Sequence, residues 1–465
     1  MTRTTVRSDA PDDLRSRVSG AVVTPADVDF DAARAVWNSM IDRRPAAIVR
    51  AAGVEDIAPT IGFARERGLD LAVRGGGHNV AGSGTVSDGI VLDLGELTEV
   101  TVDPAARTVR VQSGATLAHV DAATAPHDLA VPVGVVSGTG IAGLTLGGGM
   151  GWLTRAYGLT ADNLVAVDLV TADGRPVTAT ETENPELFWA LHGGGGNFGV
   201  VSAFTFRAYP LGPRVFAGNL VYGQERWRQA WAALDEWTRE LPDAMTTITS
   251  TLTPPPLLGL GEAPVLLIGF VWASPDRAAG EALVDRLRAL APPDVEEVGD
   301  VSWVEWQSAV DAMFPRGVRA YWRNTSFDRL DDEVVDVLVR RGAEQTWYGT
   351  GFDVHHLGGA FGRVPQDTTA FPQRSARFWL NVYGFWGDAA DDDDRVAFVR
   401  GLSADLDPFA TGGQYVNFQG QEVTGHRVQD PRVVFGERAF ERLVAVKRQY
   451  DPDNVFRLNH NIPPR

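Results

Sequence analysis

The sequence of 465 residues contains no cysteine, and none of its apolar runs is long enough to cross a bilayer. The lack of cysteine excludes disulfides, thiolate metal sites and a thiol nucleophile. Residues 1–17 are charged and contain no apolar signal core. We therefore expect the protein to be cytoplasmic and to have no membrane partner.

Positive charge is also scarce, since 42 Lys and Arg residues stand against 60 Asp and Glu residues, for a net charge of −18. This balance argues against nucleic acids and anionic membranes as partners. A hydrophobic share of 44% and a charged share of 22% are ordinary for a globular protein. The length predicts about two or three domain-sized units.

The most informative segment is a run of three glycines, Gly75, Gly76 and Gly77, which follows a short apolar run at residues 69–73. Consecutive glycines let backbone N–H groups turn toward one point and approach a ligand without obstruction by Cβ atoms. Such a loop suits a pyrophosphate, and His78 at its end offers a ring nitrogen beside the bound molecule. The segment predicts a large phosphate-bearing cofactor, held covalently.

Two further glycine-rich segments lie at residues 137–143 and 193–199. Both match the pattern of dinucleotide-binding Rossmann folds, and Asp162 lies near the offset expected for a ribose-binding acid. That fold needs a strand before the glycines and a helix after them. The segment at 137–143 is followed by three glycines at 147–149, which are a poor helix interior, and the segment at 193–199 follows a helix instead of a strand. We favour three segments around one elongated cofactor and keep the nicotinamide-binding Rossmann fold as the alternative.

Helical and strand patterns alternate along the first two hundred residues or so. Residues 54–64 predict a helix that ends at Gly68, and residues 99–112 and 165–179 predict two hairpins. Beyond residue 213, aromatic-rich strands at 265–272 and 378–386 mix with amphipathic helices at 227–241 and 278–290. The pattern predicts an α+β cofactor domain at residues 1–211, a substrate domain at 212–413, and a C-terminal segment at 414–465 that returns to the first domain.

Two features raise the question of a metal site, and neither predicts one. The run from Asp391 to Asp394 lacks the interleaved spacing of a calcium loop, so we expect a solvated turn there. The adjacent His355 and His356 belong to a strand pattern, in which neighbours point to opposite faces. We expect no metal.

Four segments closely resemble those of FAD-linked oxidases of the berberine bridge enzyme type, a branch of the vanillyl-alcohol-oxidase, or PCMH-type, flavoproteins. They are RGGGHNVAG at residues 74–82, GLTLGGGMGWLTRAYGLTADN at 143–163, ELFWALHGGGGNFGV at 186–200 and YDPDNVFRLNHN at 450–461. The resemblance implies a PCMH-type FAD-binding domain of two α/β subdomains, with its core at residues 40–211. It also implies an inserted substrate domain built on an antiparallel sheet flanked by helices.

The resemblance implies that His78 is bonded to the C8 methyl group of the flavin. Many family members add a second link through a cysteine at the position of Val136, and since this chain has no cysteine we expect the His78 link alone. The other cofactor-binding residues that the resemblance implies are Arg74, Gly75, Gly76, Gly77, Asn79, Gly82, Ser137, Gly138, Thr139, Gly140, Gly143, Gly148, Gly199, Val201, Tyr415, Asn417, Asn459 and Asn461.

The expected catalytic residues are Tyr415, His355, Tyr383 and Thr139. By resemblance, Tyr415 lies near the flavin and the substrate, either as a base or as a buried structural phenol. Thr139 lies near flavin N5 and the approach of oxygen. Strand alternation turns one of the two adjacent histidines toward the flavin, where its unperturbed pKa of about 6.5 suits a general base. His355 shares its face with Asp353, and Tyr383 belongs to an aromatic face of the strand at 379–385.

The predicted function is an FAD-dependent oxidase. It transfers a hydride to flavin N5 from a C–H bond beside an OH or NH group of a small molecule, such as a sugar, alcohol, amine or secondary metabolite. Reoxidation by O₂ then gives hydrogen peroxide. The alternatives are an oxygenating enzyme that forms a flavin N5-oxide, a flavin carrier without turnover, and the nicotinamide-dependent dehydrogenase. We expect a small molecule and O₂ as partners, and a monomer or homodimer.

Overall fold

The computed structural model describes residues 10–254, 256, 259–345, 347–349, 351–420 and 430–465. The strands are β1 (Ala21–Val23), β2 (Ala47–Arg50), β3 (Leu71–Arg74), β4 (Ile90–Asp93), β5 (Val100–Asp103), β6 (Thr108–Gln112), β7 (Leu129–Ala130), β8 (Leu164–Val170), β9 (Pro176–Ala179), β10 (Val200–Arg207), β11 (Tyr209–Pro210), β12 (Arg214–Tyr222), β13 (Met245–Leu252), β14 (Val265–Trp272), β15 (Val295–Ser302), β16 (Arg319–Phe327), β17 (Gly351–His356) and β18 (Phe378–Trp386).

The helices are α1 (Ala10–Arg17), α2 (Phe30–Arg34), α3 (Ile57–Arg67), α4 (Leu117–Thr124), α5 (Ile141–Leu146), α6 (Thr154–Tyr157), α7 (Pro185–Leu191), α8 (Trp227–Thr238), α9 (Arg277–Leu290), α10 (Trp303–Ser308), α11 (Asp332–Ala343), α12 (Gly359–Arg363), α13 (Asp392–Leu406), α14 (Pro431–Phe435) and α15 (Glu437–Tyr450). The combination of separate sheets and helices confirms the α+β class.

The first sheet has four strands in the order β1-β2-β4-β3, of which β2, β4 and β3 are parallel. Helix α3 crosses between β2 and β3 and buries Ile57, Ile61 and Ala64 against the sheet; it ends at Gly68, which has φ +63°, as the sequence predicts. Because parallel strands end at one edge, Arg74 of β3 lies beside Asp93 of β4 where the first glycine segment begins.

The second sheet is antiparallel, with five strands in the order β5-β6-β10-β8-β9. It confirms both predicted hairpins, which form β5 with β6 and β8 with β9. Helices α4, α5 and α7 share its core with Phe440 and Leu443 of α15. The last helix of the chain therefore packs with elements formed about three hundred residues earlier.

The third sheet is antiparallel, with seven strands in the order β15-β12-β14-β13-β17-β18-β16. Helices α8, α9, α11 and α13 pack on one face, against residues that include Phe352 and Val354 of β17 and Leu380 of β18. Since side chains alternate along a strand, Asp353, His355 and Asn381 point to the opposite face. That face is directed toward the glycine segments.

The expectation of a solvated turn at residues 391–394 is wrong. Asp392 is the first residue of α13, and its carboxylate accepts hydrogen bonds from the Arg319 guanidinium and from Trp386 Nε1, the latter at 2.7 Å. The run of acids lies in the first turn of α13, where negative charge interacts favourably with the helix dipole.

Candidate active site

An elongated cavity extends from the carboxyl edge of the first sheet to the inner face of the third sheet. It contains about 1840 Å³ of empty space, open solvent at its mouth included. Its lining extends from Leu71 of β3 through all three glycine segments to His355 of β17 and His460 near the C-terminus, so the cavity suits a long ligand. All three predicted segments contribute glycines to its lining. They are Gly75, Gly76 and Gly77 of the first segment, Gly140 and Gly143 of the second, and Gly194, Gly195, Gly196 and Gly199 of the third, and they are joined by Gly84, Gly134 and Gly147 from outside the segments.

Arg74 lines the cavity, and its guanidinium is committed to the protein. It donates to Asp93 Oδ2 at 2.8 Å and to the carbonyl of Ala33 at 2.6 Å. The side chain of Arg74 is 6% exposed, so this is a buried ion pair between the ends of two parallel strands. Arg74 therefore fixes the start of the first glycine segment.

His78 follows that segment and stacks on Trp37, with ring centroids 4.7 Å apart and planes inclined by 20°. Its Nε2 is buried and has no hydrogen-bond partner among the described residues. Burial, reinforced by the charge of nearby Arg316, lowers the pKa of His78 to about 4. Arg316 itself donates to the carbonyl of Gly76 at 3.0 Å. At neutral pH the imidazole is thus uncharged, and it lines the cavity.

The C-terminal segment closes the same cavity. Asn459 and His460 line it, and Asn459 Oδ1 and His460 Nδ1 are buried without a partner within the described part of the chain. Lys447 of α15, which the sequence analysis did not single out, holds the chain just before them through the carbonyl of Phe456, to which it donates at 2.9 Å. Its fully buried ammonium group donates to Asp451 Oδ2 at 2.6 Å and to the carbonyl of Asn197 at 2.8 Å, which fastens α15 to the third glycine segment.

Most of the predicted cofactor residues line this cavity. They are Arg74, Gly75, Gly76, Gly77, His78, Asn79, Thr139, Gly140, Gly143, Gly199, Val201, Tyr415, Asn417 and Asn459. Gly82, Ser137, Gly138, Gly148 and Asn461 lie outside the lining. Ser137, for example, donates its backbone N–H to Asp311 Oδ1 at 2.8 Å, and Gly148 packs against Phe371.

Tyr415 lies at the end of the cavity nearest the third sheet and is 1% exposed. Its hydroxyl oxygen accepts hydrogen bonds from Gly149 N and from Asn417 Nδ2, both at 2.9 Å. Burial raises the pKa of Tyr415 to about 12, so the phenol stays protonated at neutral pH.

Thr139 and Val136 also line the cavity, and they are joined by a hydrogen bond from Thr139 N to Val136 O.

The two adjacent histidines point in opposite directions, as strand alternation predicts. His355 lines the cavity, and burial lowers its pKa to about 4. His356 lies on the other face, where its ring packs against Phe378 and its Nε2 is 3.5 Å from Arg155 Nη1. His355 is therefore the uncharged histidine that faces the cavity.

Asp353 lies on the same face as His355 and lines the cavity. Tyr383 donates its hydroxyl hydrogen to Asp353 Oδ1 at 3.1 Å, so the predicted catalytic Tyr383 reaches the cavity through Asp353 and does not line it. Burial raises the pKa of Asp353 to about 6, against hydrogen bonds from Ser250 and Tyr383 that lower it. The sequence placed Asp353 beside His355, but gave no sign that the carboxylate is enclosed.

Aromatic rings form one wall of this end of the cavity. Phe314, Trp322 and Phe418 all line it, with ring centroids of Trp322 6.5 Å from Phe314 and 6.1 Å from Phe418. Phe418 also contacts Tyr415 edge to face at 4.6 Å. The sequence analysis missed these three residues because they belong to separate segments that meet only in the folded chain.

The structure gives no support to a metal centre or a Rossmann site. In the described ranges there is no group of three or more potential metal ligands. Asp162, the residue at the ribose-binding offset, accepts hydrogen bonds from both terminal nitrogens of Arg374 at 2.7 and 2.8 Å. Across those same ranges, no helix combines the length and apolarity that crossing a membrane requires.

Comparison with known proteins agrees with this geometry. The profile of the family described as "FAD binding domain" matches residues 45–180, and that of "Berberine and berberine like" matches residues 414–463. The chain is 31% identical to (R)-6-hydroxynicotine oxidase of Paenarthrobacter nicotinovorans, over 96% of this chain and 97% of that protein. It is 28% identical to xylooligosaccharide oxidase of Thermothelomyces thermophilus, over 92% of this chain and 89% of that protein.

The crystal structure of 6-hydroxy-D-nicotine oxidase from Arthrobacter nicotinovorans superposes with a TM-score of 0.85 at 27% identity, covering 96% of this chain and 98% of that one. The Rossmann alternative is therefore wrong, and the PCMH-type fold is confirmed. The matches extend over nearly the whole length of both partners, through both ends of the cavity. This chain belongs to the berberine bridge enzyme-like family of FAD-linked oxidoreductases.

Proposed function

We propose that the protein is an oxidase that removes a hydride from a C–H bond beside an OH or NH group of a small molecule. The observation that carries the proposal is that one continuous cavity is lined both by the three glycine segments and by His355, Asp353 and Tyr415. Bound FAD would accept two electrons from the substrate and pass them to O₂, which yields hydrogen peroxide. Relatives that carry oxidase in their names, acting on 6-hydroxynicotine and on xylooligosaccharides, support this class of reaction.

The residues present fit FAD. The bare amides of the glycine segments suit its diphosphate, and the partnerless Asn459 Oδ1 and His460 Nδ1 suit polar groups of an enclosed ligand. We propose that His78 alone attaches covalently to the flavin. Its uncharged ring has a free nitrogen for bond formation, and Val136 stands where a second link would need a thiol.

We assign the proton acceptor to His355, because its uncharged ring faces the cavity. Burial lowers its pKa to about 4, which weakens it as a base, so the assignment rests on its position. Tyr415 then acts as a fixed hydrogen-bonding phenol. Its oxygen is held by two N–H donors, and its high pKa opposes a role as the base. We place Thr139 at the edge of the flavin where oxygen arrives. Tyr383 acts by holding Asp353.

The covalent link is tested by acid precipitation of the fully loaded protein. We expect the yellow colour to stay with the denatured chain, and His78→Ala to release it to the supernatant. The exposed His127 gives a control, since His127→Ala should keep the colour in the pellet. A colourless wild-type pellet, or a coloured His78→Ala pellet, contradicts the attachment site.

The reaction is tested by mixing the protein with candidate alcohols, amines and sugars without air. A substrate should bleach the flavin, and admission of air should restore the colour with one hydrogen peroxide formed per substrate oxidised. Bleaching without turnover in air would indicate a dehydrogenase. Labelled oxygen from O₂ in the product, with little peroxide, would indicate the N5-oxygenating alternative. If no compound bleached the flavin, the protein would be a flavin carrier without turnover.

A further inference from the structure

The imidazole of His78 lies between the cavity and a buried indole ring. It lines the cavity, and it stacks on Trp37 with ring centroids 4.7 Å apart and planes inclined by 20°. Trp37 is fully buried and does not itself line the cavity. A ligand in the cavity can therefore touch His78, while Trp37 restricts the plane in which the imidazole lies.

Every polar group of Trp37 is held by the chain around it. Its backbone N–H donates to the carbonyl of Gly77 at 2.9 Å, and its backbone carbonyl accepts from Gly317 N at 2.9 Å. The indole Nε1 donates to the carbonyl of Phe314 at 3.1 Å. Gly77 immediately precedes His78, whereas Phe314 and Gly317 belong to the segment between α10 and β16. The indole therefore cannot turn without breaking a buried hydrogen bond.

Two further aromatic rings fix the tilt of the indole. Trp322 of β16 contacts Trp37 edge to face with ring centroids 5.5 Å apart, and Phe385 of β18 does so at 5.8 Å. A close-packed interior leaves a ring with such neighbours one orientation. The surface on which His78 stacks is thus rigid, and rotation of the imidazole away from it would give up the stacking contact.

The direction of the imidazole plane matters for bond formation. The lone pair of a ring nitrogen lies in the plane of the ring, so its reaction with a carbon atom depends on where that plane points as well as on distance. A ring that turns freely is correctly directed for only a small part of the time. His78 is both uncharged, as a nucleophile must be, and fixed in its plane by Trp37.

We propose that Trp37 is a positioning residue for the covalent attachment of FAD: its indole holds the imidazole of His78 in the plane from which a ring nitrogen reaches the flavin C8 methyl carbon. The proposal rests on the attachment site proposed above and concerns how the bond is made. Because Trp37 does not line the cavity, we expect the binding of unattached FAD to be independent of it.

Attachment is an oxidation in which Trp37 takes no electrons or protons. His78 forms a bond from a ring nitrogen to the C8 methyl carbon, one C–H bond of the methyl group breaks, and the imidazole gives up its N–H hydrogen. The two protons and two electrons released pass to the isoalloxazine. O₂ then removes them as hydrogen peroxide, which restores the oxidised flavin.

The test measures attached and total flavin separately. Each full-length protein is produced with limited riboflavin and incubated with excess FAD in air. Ultrafiltration gives the total bound flavin over time, and acid precipitation gives the attached part. Trp37→Leu, which fills space without an aromatic face, should attach flavin about tenfold more slowly or worse. Trp37→Phe, which keeps a ring for stacking, should attach it within about threefold of the wild-type rate. Both should bind unattached FAD as tightly as the wild type, within about threefold.

Trp237→Leu is the matched control. Trp237 of α8 is also fully buried, and its Nε1 also donates to a backbone carbonyl, that of Leu283 at 2.8 Å, but it lies in the core between the helices and the third sheet. This variant should lose melting temperature as Trp37→Leu does and attach flavin at the wild-type rate. If Trp37→Leu does not fold, Trp37→Met replaces it, since a flexible side chain adapts to an irregular space.

A wild-type attachment rate in Trp37→Leu overturns the proposal, as does an equal loss in Trp37→Phe or in Trp237→Leu. Weakened binding of unattached FAD in Trp37→Leu also overturns it, because Trp37 would then hold the cofactor and not the imidazole. The two proposals fail in distinguishable ways. A wild type that attaches no flavin contradicts both the attachment site and the role of Trp37. A wild type attached through His78, with Trp37→Leu unaffected, contradicts the role of Trp37 alone.

Discussion

Gly76 and Gly140 lie against each other, backbone to backbone. A Cβ atom on Gly76 would lie 2.5 Å from Gly140 N, and one on Gly140 would lie 2.4 Å from Gly76 N. Backbone atoms cannot move aside as a flexible side chain can. This contact joins the first and second glycine segments, so their common position in the cavity depends on the absence of two side chains.

Gly76→Ala should therefore separate the two segments and weaken FAD retention by about tenfold or more, the effect of roughly 1–3 kcal/mol of overpacking. The measurement is the ratio of flavin to protein absorbance after purification. Gly62→Ala, in α3 of the same region, is the control because nothing closer than 3.9 Å would meet its Cβ. Full flavin loading in Gly76→Ala would show that the segments tolerate separation.

Of the two adjacent histidines of β17, His355 lines the cavity and His356 packs against Phe378 on the opposite face. His355→Gln should slow anaerobic flavin reduction by about 10²-fold, because the proton acceptor is lost from the cavity. His356→Gln should lower the melting temperature through its buried contacts near Arg155 and leave the rate of flavin reduction within about twofold. Stopped-flow absorbance and thermal unfolding measure the two effects. Equal rate losses in both variants would remove His355 from its role.

Tyr415→Phe removes the oxygen that accepts hydrogen bonds from Gly149 and Asn417. Leaving these buried donors unpaired costs about 1–3 kcal/mol, so we expect lower stability and slower flavin reduction. Since the pKa of Tyr415 is raised to about 12, the phenol does not ionise between pH 6 and 9. The pH profile of flavin reduction should keep its shape in the variant. Loss of an inflection present in the wild type would instead identify Tyr415 as the base.

Asp121 of α4 couples stability to pH. The side chain is 2% exposed, and Gln307 Nε2 of α10 approaches its Oδ2 at 3.5 Å. Burial raises the pKa of Asp121 from 3.8 to about 7, so the folded state keeps a proton that the unfolded state releases. The contribution of Asp121 to the free energy of unfolding is therefore fully present below pH 3.8 and is lost as the pH rises toward 7.

Asp121→Asn removes this loss. At pH 8 the free energy of unfolding of the variant should exceed that of the wild type by up to about 4 kcal/mol, so its melting temperature should be higher. At a pH of about 4.5 the two melting temperatures should be nearly the same. Thermal unfolding at several pH values measures the difference, with Glu297→Gln on the exposed side of β15 as a charge-matched control. A destabilised Asp121→Asn at pH 8 would show that the ionised carboxylate has a favourable partner.

The sequence predicts the parts of this site that depend on local chain geometry. Consecutive glycines, strand alternation at residues 355 and 356 and the position of His78 all follow from neighbouring residues. Local patterns do not predict that Asp353, Asn381 and Trp322 lie together. Their shared position depends on the pairing of β17 with β18 and of β18 with β16. Such pairing is set by contacts between distant segments, which no local pattern contains. The Asp392 contacts with Arg319 and Trp386 escaped prediction for the same reason.

The cavity takes its walls from positions as far apart as Leu71 and His460. A nascent chain cannot close it until Asn459 and His460 have left the ribosome, so partial chains have no complete place for the flavin. Capture of the cofactor in the complete cavity, and any bond that His78 makes to it there, must follow synthesis of the chain through His460.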